Sequence, residues 1–184
     1  MESFRWPPRP EGHTPDKTGR PDEPWLTRDA ITRLEGIVGF TTVVLEFGSG
    51  ASTIWFAKRS ARVESIEHDG DWHRRVVEAA RYENVTTAFL YHVPSDGNFS
   101  MYIEKGREIA ERLAPGLLVV DGRCRVRCIK AVAPLMPVGA HIVLDNAERP
   151  RYEEAHNLLA ESWLVEQTTN GLWRTDIFTR KESR

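Results

Sequence analysis

Residues 43–53 read VVLEFGSGAST. An apolar run ends in Glu46, a glycine-rich turn follows, and the next residues are able to open a helix. The stretch therefore predicts a strand, a tight loop and a helix start. Gly48 and Gly50 permit backbone angles and close approaches that a side chain would block. The first amides of the following helix would face whatever lies over the loop. This is the pattern of the first loop in a doubly wound α/β domain. A dinucleotide fingerprint, GxGxxG, needs a third glycine where this chain has Thr53, so that fingerprint fails.

On the N-terminal side, six of the eleven prolines fall at 7, 8, 10, 15, 21 and 24, with Gly12 and Gly19 between them. Such a stretch cannot form a regular element. Residues 1–24 are thus expected to be a proline-rich arm, with Trp6 and Trp25 as candidate packing points, and residues 25–184 a single domain. Thr27 can cap a helix reaching about Glu35, closed by Gly36 and Gly39.

On the C-terminal side, strands and helices alternate. The spacing predicts strands over Thr42–Phe47, Arg62–Glu67, Val85–Val93, Leu117–Val120 and Ala140–Leu144. Helices are expected over Ser52–Ser60, Trp72–Tyr82, Met101–Leu113, Val126–Met136 and Tyr152–Trp163. Two last strands, Leu164–Thr168 and Trp173–Thr179, meet across Asn170-Gly171, a strong hairpin signal. The fold class is α/β: a doubly wound, mostly parallel seven-stranded sheet with a C-terminal antiparallel hairpin.

The 184 residues suit one domain with a sizeable core. A formal charge of −2 gives no electrostatic case for phosphate-driven binding, so no nucleic-acid partner is expected. No apolar run approaches spanning length, and no membrane partner is expected. The polar, proline-rich start does not resemble a signal peptide. Cys124 and Cys128, the only cysteines, have the spacing of one helix face rather than a disulfide framework, and the expected compartment is the cytoplasm. They have no nearby paired ligands for zinc. His68, His73, His92 and His141 likewise lack metal-ligand spacing.

Glu67 ends the second predicted strand, 21 residues beyond Glu46. An acid there, about 20 residues on, accepts hydrogen bonds from ribose hydroxyls in doubly wound folds. The alternative is a solvated acidic turn, Glu67-His68-Asp69. Asp96, in the loop PSDGNFS, either meets a ligand or shapes its turn.

The run E-F-G-S-G-A-S-T resembles motif one of the class I S-adenosylmethionine-dependent methyltransferases, in which an acid precedes GxG. With Glu67, the strand-end acids and the hairpin, the resemblance covers about residues 40–180. It implies S-adenosylmethionine as cofactor, held by Glu46, Phe47, Gly48, Ser49, Gly50, Ser52 and Thr53 around the loop. Glu67 and His68 would follow at the second strand, and Asp121 at the fourth. Glu46 would lie near the methionine end, Glu67 would take the ribose, and amides of the Gly48–Ser52 loop would hold the cofactor carboxylate.

Asp121, Asp145 and Asn146 end two later strands and offer hard oxygen ligands. They resemble the metal site of O-methyltransferases of the catechol and caffeoyl-CoA type, which implies a divalent cation such as magnesium. The departure is that those enzymes keep a lysine just after the first aspartate, where this chain has Gly122-Arg123-Cys124. Arg123 stays protonated and is a poor base. The alternative is that Asp121 orients cofactor or substrate and Asp145-Asn146 closes a strand end. The runs VVDGRCRVRC and IVLDNAERPRY look more like a group of bacterial class I methyltransferase-like proteins. The nucleic-acid amino-methylating enzymes carry Asn/Asp-Pro-Pro-aromatic where this chain has Asp-Gly-Arg-Cys.

The expected function is methyl transfer to an oxygen of a small-molecule or sugar-like acceptor, with Asp121, Arg123 and Asp145 as catalytic candidates. Arg123, Arg149 and Arg151 could clamp an anionic acceptor, and Tyr152 could line its pocket. The rivals are a non-catalytic ligand- or partner-binding module on the same fold, and an aminopropyl transferase or nicotinamide-dependent enzyme. Either the arm or a second subunit of a homodimer would cover one exposed surface.

Overall fold

A computed structural model describes Phe4, Trp6 and residues 23–182. Seven strands form its sheet: β1 (Val43–Phe47), β2 (Arg62–Glu67), β3 (Ala88–His92), β4 (Leu117–Val120), β5 (His141–Leu144), β6 (Trp163–Thr169) and β7 (Arg174–Arg180). Among the described residues six α-helices surround them: α1 (Arg28–Ile37), α2 (Ala51–Ala57), α3 (Gly70–Tyr82), α4 (Ser100–Leu113), α5 (Arg125–Val132) and α6 (Glu153–Leu159). The strand order is β3-β2-β1-β4-β5-β7-β6. β1 to β5 run parallel, and β7 pairs antiparallel with both β5 and β6.

Alternation along the strands creates two apolar layers. Leu45 and Phe47 of β1, with Ile66, Leu118 and Val120, face the core shared with α4, α5 and α6. Val44, with Val63, Leu117, Val119 and Val143, faces the layer of α1 and α2. All four residues of β4 are buried, as a central parallel strand covered on both faces requires. Each fully buried Leu, Ile, Val or Phe side chain contributes about 1.5–3 kcal/mol of transfer free energy, so the two layers supply the main drive for this arrangement.

Several expected boundaries shift for physical reasons. β3 starts at Ala88, not Val85, and its residues are half-exposed, because it is the sheet edge. The helix expected over Val126–Met136 is α5 followed by a 3-10 turn, Ala133–Leu135, where Pro134 has no N–H for the helical ladder. The helix expected over Tyr152–Trp163 begins as a 3-10 turn at Pro150–Tyr152 and stops at Leu159, leaving Trp163 to open β6. Thr27 does not cap α1 with its side chain. Its hydroxyl lies 2.5 Å from Thr168 Oγ1 and ties the helix start to β6. Asp96 caps α4, accepting from the amides of Ser100 and Met101.

The prolines at 7, 8, 10, 15 and 21, with Gly12 and Gly19, lie outside the described residues. Trp6 packs beside Trp72 with ring centroids 5.9 Å apart, and Trp25 lies 6.2 Å from the same ring. No helix among the described residues is long and apolar enough to cross a membrane.

The chain passes from β1 outward to β2 and β3, then crosses back to β4. β1 and β4 stay paired to their carboxyl ends, but β1 leads into α2 on one face of the sheet and β4 into α5 on the other, and this divergence of the connections leaves the crevice in which doubly wound sheets bind ligands.

Candidate active site

A cleft of about 670 Å³ opens at that divergence, within the usual range for small-molecule sites. Its walls come from the loop after β1, the β2–α3 junction, the loop after β4 and the segment after β5.

The loop after β1 is held from below. Glu46 has no exposed surface and accepts from Ser52 Oγ at 2.5 Å, Thr53 Oγ1 at 2.5 Å and Ser65 Oγ at 2.6 Å. Burial pushes its carboxyl up to about 7, against the pull of those three hydroxyls and with a further push from Asp121. Gly48 has φ +95°, and a Cβ there would lie 2.6 Å from the Gly122 amide nitrogen, so the loops after β1 and β4 touch backbone to backbone. The amides of Asp121 and Gly122 both donate to the Phe47 carbonyl.

The loop amides are engaged inside the chain. Gly48 N–H donates to Ile66 O, Ser49 N–H to Glu67 Oε2, and Gly50 N–H to Thr53 Oγ1. These three amides are therefore not open to a cofactor carboxylate in this arrangement, which narrows the expected Gly48–Ser52 set to the amides of Ala51 and Ser52. Gly50 also differs from its assigned role. Its backbone is extended, and a Cβ would meet only Ser52 Oγ at 3.8 Å. Among the described residues nothing demands glycine there, yet its bare backbone lines the cleft.

On the next wall, Glu67 accepts from Ser49 N–H at 3.1 Å, His68 N–H at 2.7 Å and Asp69 N–H at 2.8 Å. Asp69 caps α3 by accepting from Asp71 and Trp72 amides, bonds that hold its carboxyl below the usual range. Trp72 Nε1 donates to Ser49 O at 2.6 Å, bracing the glycine loop against α3. Trp25 and Trp72 both line the cleft.

Across the cleft, Arg125 starts α5 with its side chain only 7% exposed. Its Nε donates to Gly122 O at 3.1 Å, and its Nη2 to Asp121 O at 2.5 Å and Asp121 Oδ1 at 2.9 Å. Its Nη1 donates to Asp145 O. Asp145 accepts from Thr175 Oγ1 at 2.9 Å, and burial followed by the Asp121 charge raises its carboxyl pKa. Arg123 and Arg127 after β4, and Arg149, Arg151 and Tyr152 after β5, also line the cleft.

Of the residues assigned to the cofactor, Gly48, Ser49, Gly50, Ser52, Glu67, His68 and Asp121 line the cleft. Glu46, Phe47 and Thr53 do not: Phe47 packs 5.1 Å from the Tyr102 ring, and Glu46 and Thr53 act beneath the loop. Arg123 and Asp121 line the cleft, whereas Asp145 and Asn146 are buried away from its wall. The metal set of Asp121, Asp145 and Asn146 is thus not brought to one open position. Among the described residues no three His, Cys, Asp or Glu side chains converge on a metal-sized site. Arg149, Arg151 and Tyr152 line the cleft alongside Arg123. Arg125 went unnoticed in the sequence because RCRVRC reads as a helix start with surface arginines. Trp72 carried only a helical-period signal.

No family model matches the sequence, and no curated protein matches it. Solved structures share the fold. Cofactor-bound Rv0187 from MTB is 18% identical with a TM-score of 0.67, covering 86% of this chain and 82% of that one. A precorrin-6y C5,15-methyltransferase from Geobacter metallireducens is 14% identical at TM-score 0.64, covering 83% and 87%. An rRNA methylase from Streptococcus thermophilus is 9% identical at TM-score 0.62, covering 81% and 92%. The chain has the fold of the class I S-adenosylmethionine-dependent methyltransferases.

Proposed function

We propose that the chain transfers a methyl group from S-adenosylmethionine to an oxygen of a small acceptor that carries a carboxylate or phosphate. The observation that carries this reading is the division of one cleft by charge. Glu67 and Asp69 stand on the β2–α3 side, and Arg123, Arg127, Arg149 and Arg151 on the side of β4 and β5.

The cofactor residues fit. Gly50 lines the cleft where no contact among the described residues calls for glycine, which suits a ligand lying against the backbone. When bound, S-adenosylmethionine supplies an electrophilic methyl on its sulfonium. Glu67, fixed by three amides, keeps about one of its roughly four acceptor sites for a ribose hydroxyl. The outer arginines would hold an anionic acceptor and aim its oxygen in line with the breaking carbon–sulfur bond. Arg123 stays protonated, so its part is binding. Asp121, ion-paired to Arg125, lines the cleft on the side of β4, and in this reading it orients the acceptor hydroxyl. Asp145, set back from the wall, acts through its carbonyl on Arg125. A divalent cation has no part in this reading.

Calorimetric titration with S-adenosylmethionine tests it. Wild type binds, and Glu67→Ala weakens binding by about tenfold or more, the scale of lost hydrogen bonds to a charged group. A folded wild type that gives no heat sinks the reading. A second reading, a binding module without turnover, is favoured by the absence of lysine after Asp121. It predicts cofactor binding without methyl incorporation into anionic small molecules. Methyl incorporation into RNA alone would move the acceptor class to nucleic acid.

A further inference from the structure

The acids after β4 and β5, Asp121 and Asp145, do not face each other across an open gap. The guanidinium of Arg125 lies between the two loops. Its Nη2 bonds Asp121 through both carbonyl and carboxylate, while its Nη1 bonds the Asp145 carbonyl and stands 4.0 Å from Asp145 Oδ2. Its centre lies 5.3 Å from the Tyr152 ring, so an aromatic face covers it as well. Four of the five guanidinium N–H groups are thus used on the chain's own oxygens.

A magnesium or manganese ion held by Asp121, Asp145 and Asn146 would need oxygen ligands at about 2.0–2.1 Å in near-octahedral array. The guanidinium takes up Asp121 Oδ1 and the approach to Asp145 Oδ2, and its positive charge would repel a second cation at that range. We infer that Arg125 is a built-in cation occupying the divalent-metal position between these strand-end acids. The chain is therefore metal-independent, and it acquires a metal site only when the Arg125 side chain is removed. Arg125 is a positioning residue in this arrangement: it pins the ends of β4 and β5 through their carbonyls and neutralises Asp121. The inference does not depend on the methyl-transfer reading.

The test uses the full chain and manganese ion, with the electron paramagnetic resonance signal of free ion as readout. Wild type is expected to leave that signal unchanged, while Arg125→Ala takes up manganese stoichiometrically. Adding Asp121→Asn or Asp145→Asn to Arg125→Ala should weaken uptake by about tenfold or more, as loss of a ligand does. Should Arg125→Ala not fold, Arg125→Gln removes the charge while keeping the stem, and carries the same expectation. Stoichiometric uptake by wild type, abolished by Asp145→Asn, would overturn the inference. A folded, uncharged variant that takes up no manganese would overturn it equally. S-adenosylmethionine titrations on the same samples separate the two proposals, since failed cofactor binding leaves the manganese result standing.

Discussion

Gly48 and Gly122 hold the loops after β1 and β4 in backbone contact: a side chain on Gly48 would place its Cβ 2.6 Å from the Gly122 nitrogen. A side chain on Gly122 would in turn run into the Tyr102 hydroxyl. Both glycines line the cleft at the sheet's switch point.

Gly48→Ala therefore combines backbone strain at φ +95° with overpacking. It should destabilise the fold by about 1–3 kcal/mol. Gly50→Ala should leave stability within about 0.5 kcal/mol and weaken S-adenosylmethionine binding. Thermal unfolding beside calorimetric titration distinguishes a glycine needed by the chain from one needed by the ligand. Equal stability losses in both variants would contradict the assignment.

Gly106 sits inside α4 with its missing side chain directed at the Phe47 ring, which an added Cβ would overlap. Alanine ordinarily stabilises a helix interior by about 1 kcal/mol over glycine. Here Gly106→Ala should lower the midpoint of denaturant unfolding, because the clash outweighs the propensity. A raised midpoint would show that Phe47 relaxes freely.

Glu46 predicts a pH dependence. Its carboxyl is pushed from 4.5 to about 7 in the fold. Between those values the folded state keeps a proton that the unfolded chain has lost, so stability is fully present below 4.5, falls as pH rises, and levels off above about 7. The contribution is on the order of 3 kcal/mol. Asp145, also raised, acts with the same sign. Glu46→Gln should flatten the part of the slope that Glu46 causes and be more stable than wild type at pH 8. Urea unfolding at several pH values reads this directly, and an unchanged slope would refute it.

Trp72 joins α3 to the glycine loop through its bond to Ser49 O, and Trp25 shares the cleft wall. Intrinsic fluorescence should change on addition of S-adenosylhomocysteine. Trp72→Phe should cost about 1 kcal/mol from the lost hydrogen bond and remove much of the signal change. A full signal change in Trp72→Phe would place the responding ring elsewhere.

Arg149 and Arg151 line the cleft from the segment after β5. Once an acceptor is in hand, Arg149→Ala and Arg151→Ala should raise its KM by about tenfold each and leave cofactor affinity unchanged. Loss of cofactor binding in either variant would show that the cleft is divided differently.

Period and punctuation in the sequence settled a great deal. The alternation of apolar runs, the glycines after Glu46 and the Asn170-Gly171 turn specified seven strands in order and a closing hairpin, because these signals are local and act over a few residues. Leu117–Val120 was legible to the residue, since a central strand buried on both faces must be wholly apolar. Edge strand β3 and the proline-interrupted α5 were less so, because their limits depend on neighbours. The site was legible as a set of strand ends rather than as a set of side chains. Which acid faces the cleft depends on burial and on partners distant in sequence. Glu46 is turned under the loop by Ser65, 19 positions away, and Asp145 is set behind an arginine 20 positions earlier. Only tertiary structure brings Arg125 between those acids, because a charge buried this deeply is tolerable solely where distant carbonyls and carboxylates converge to satisfy it.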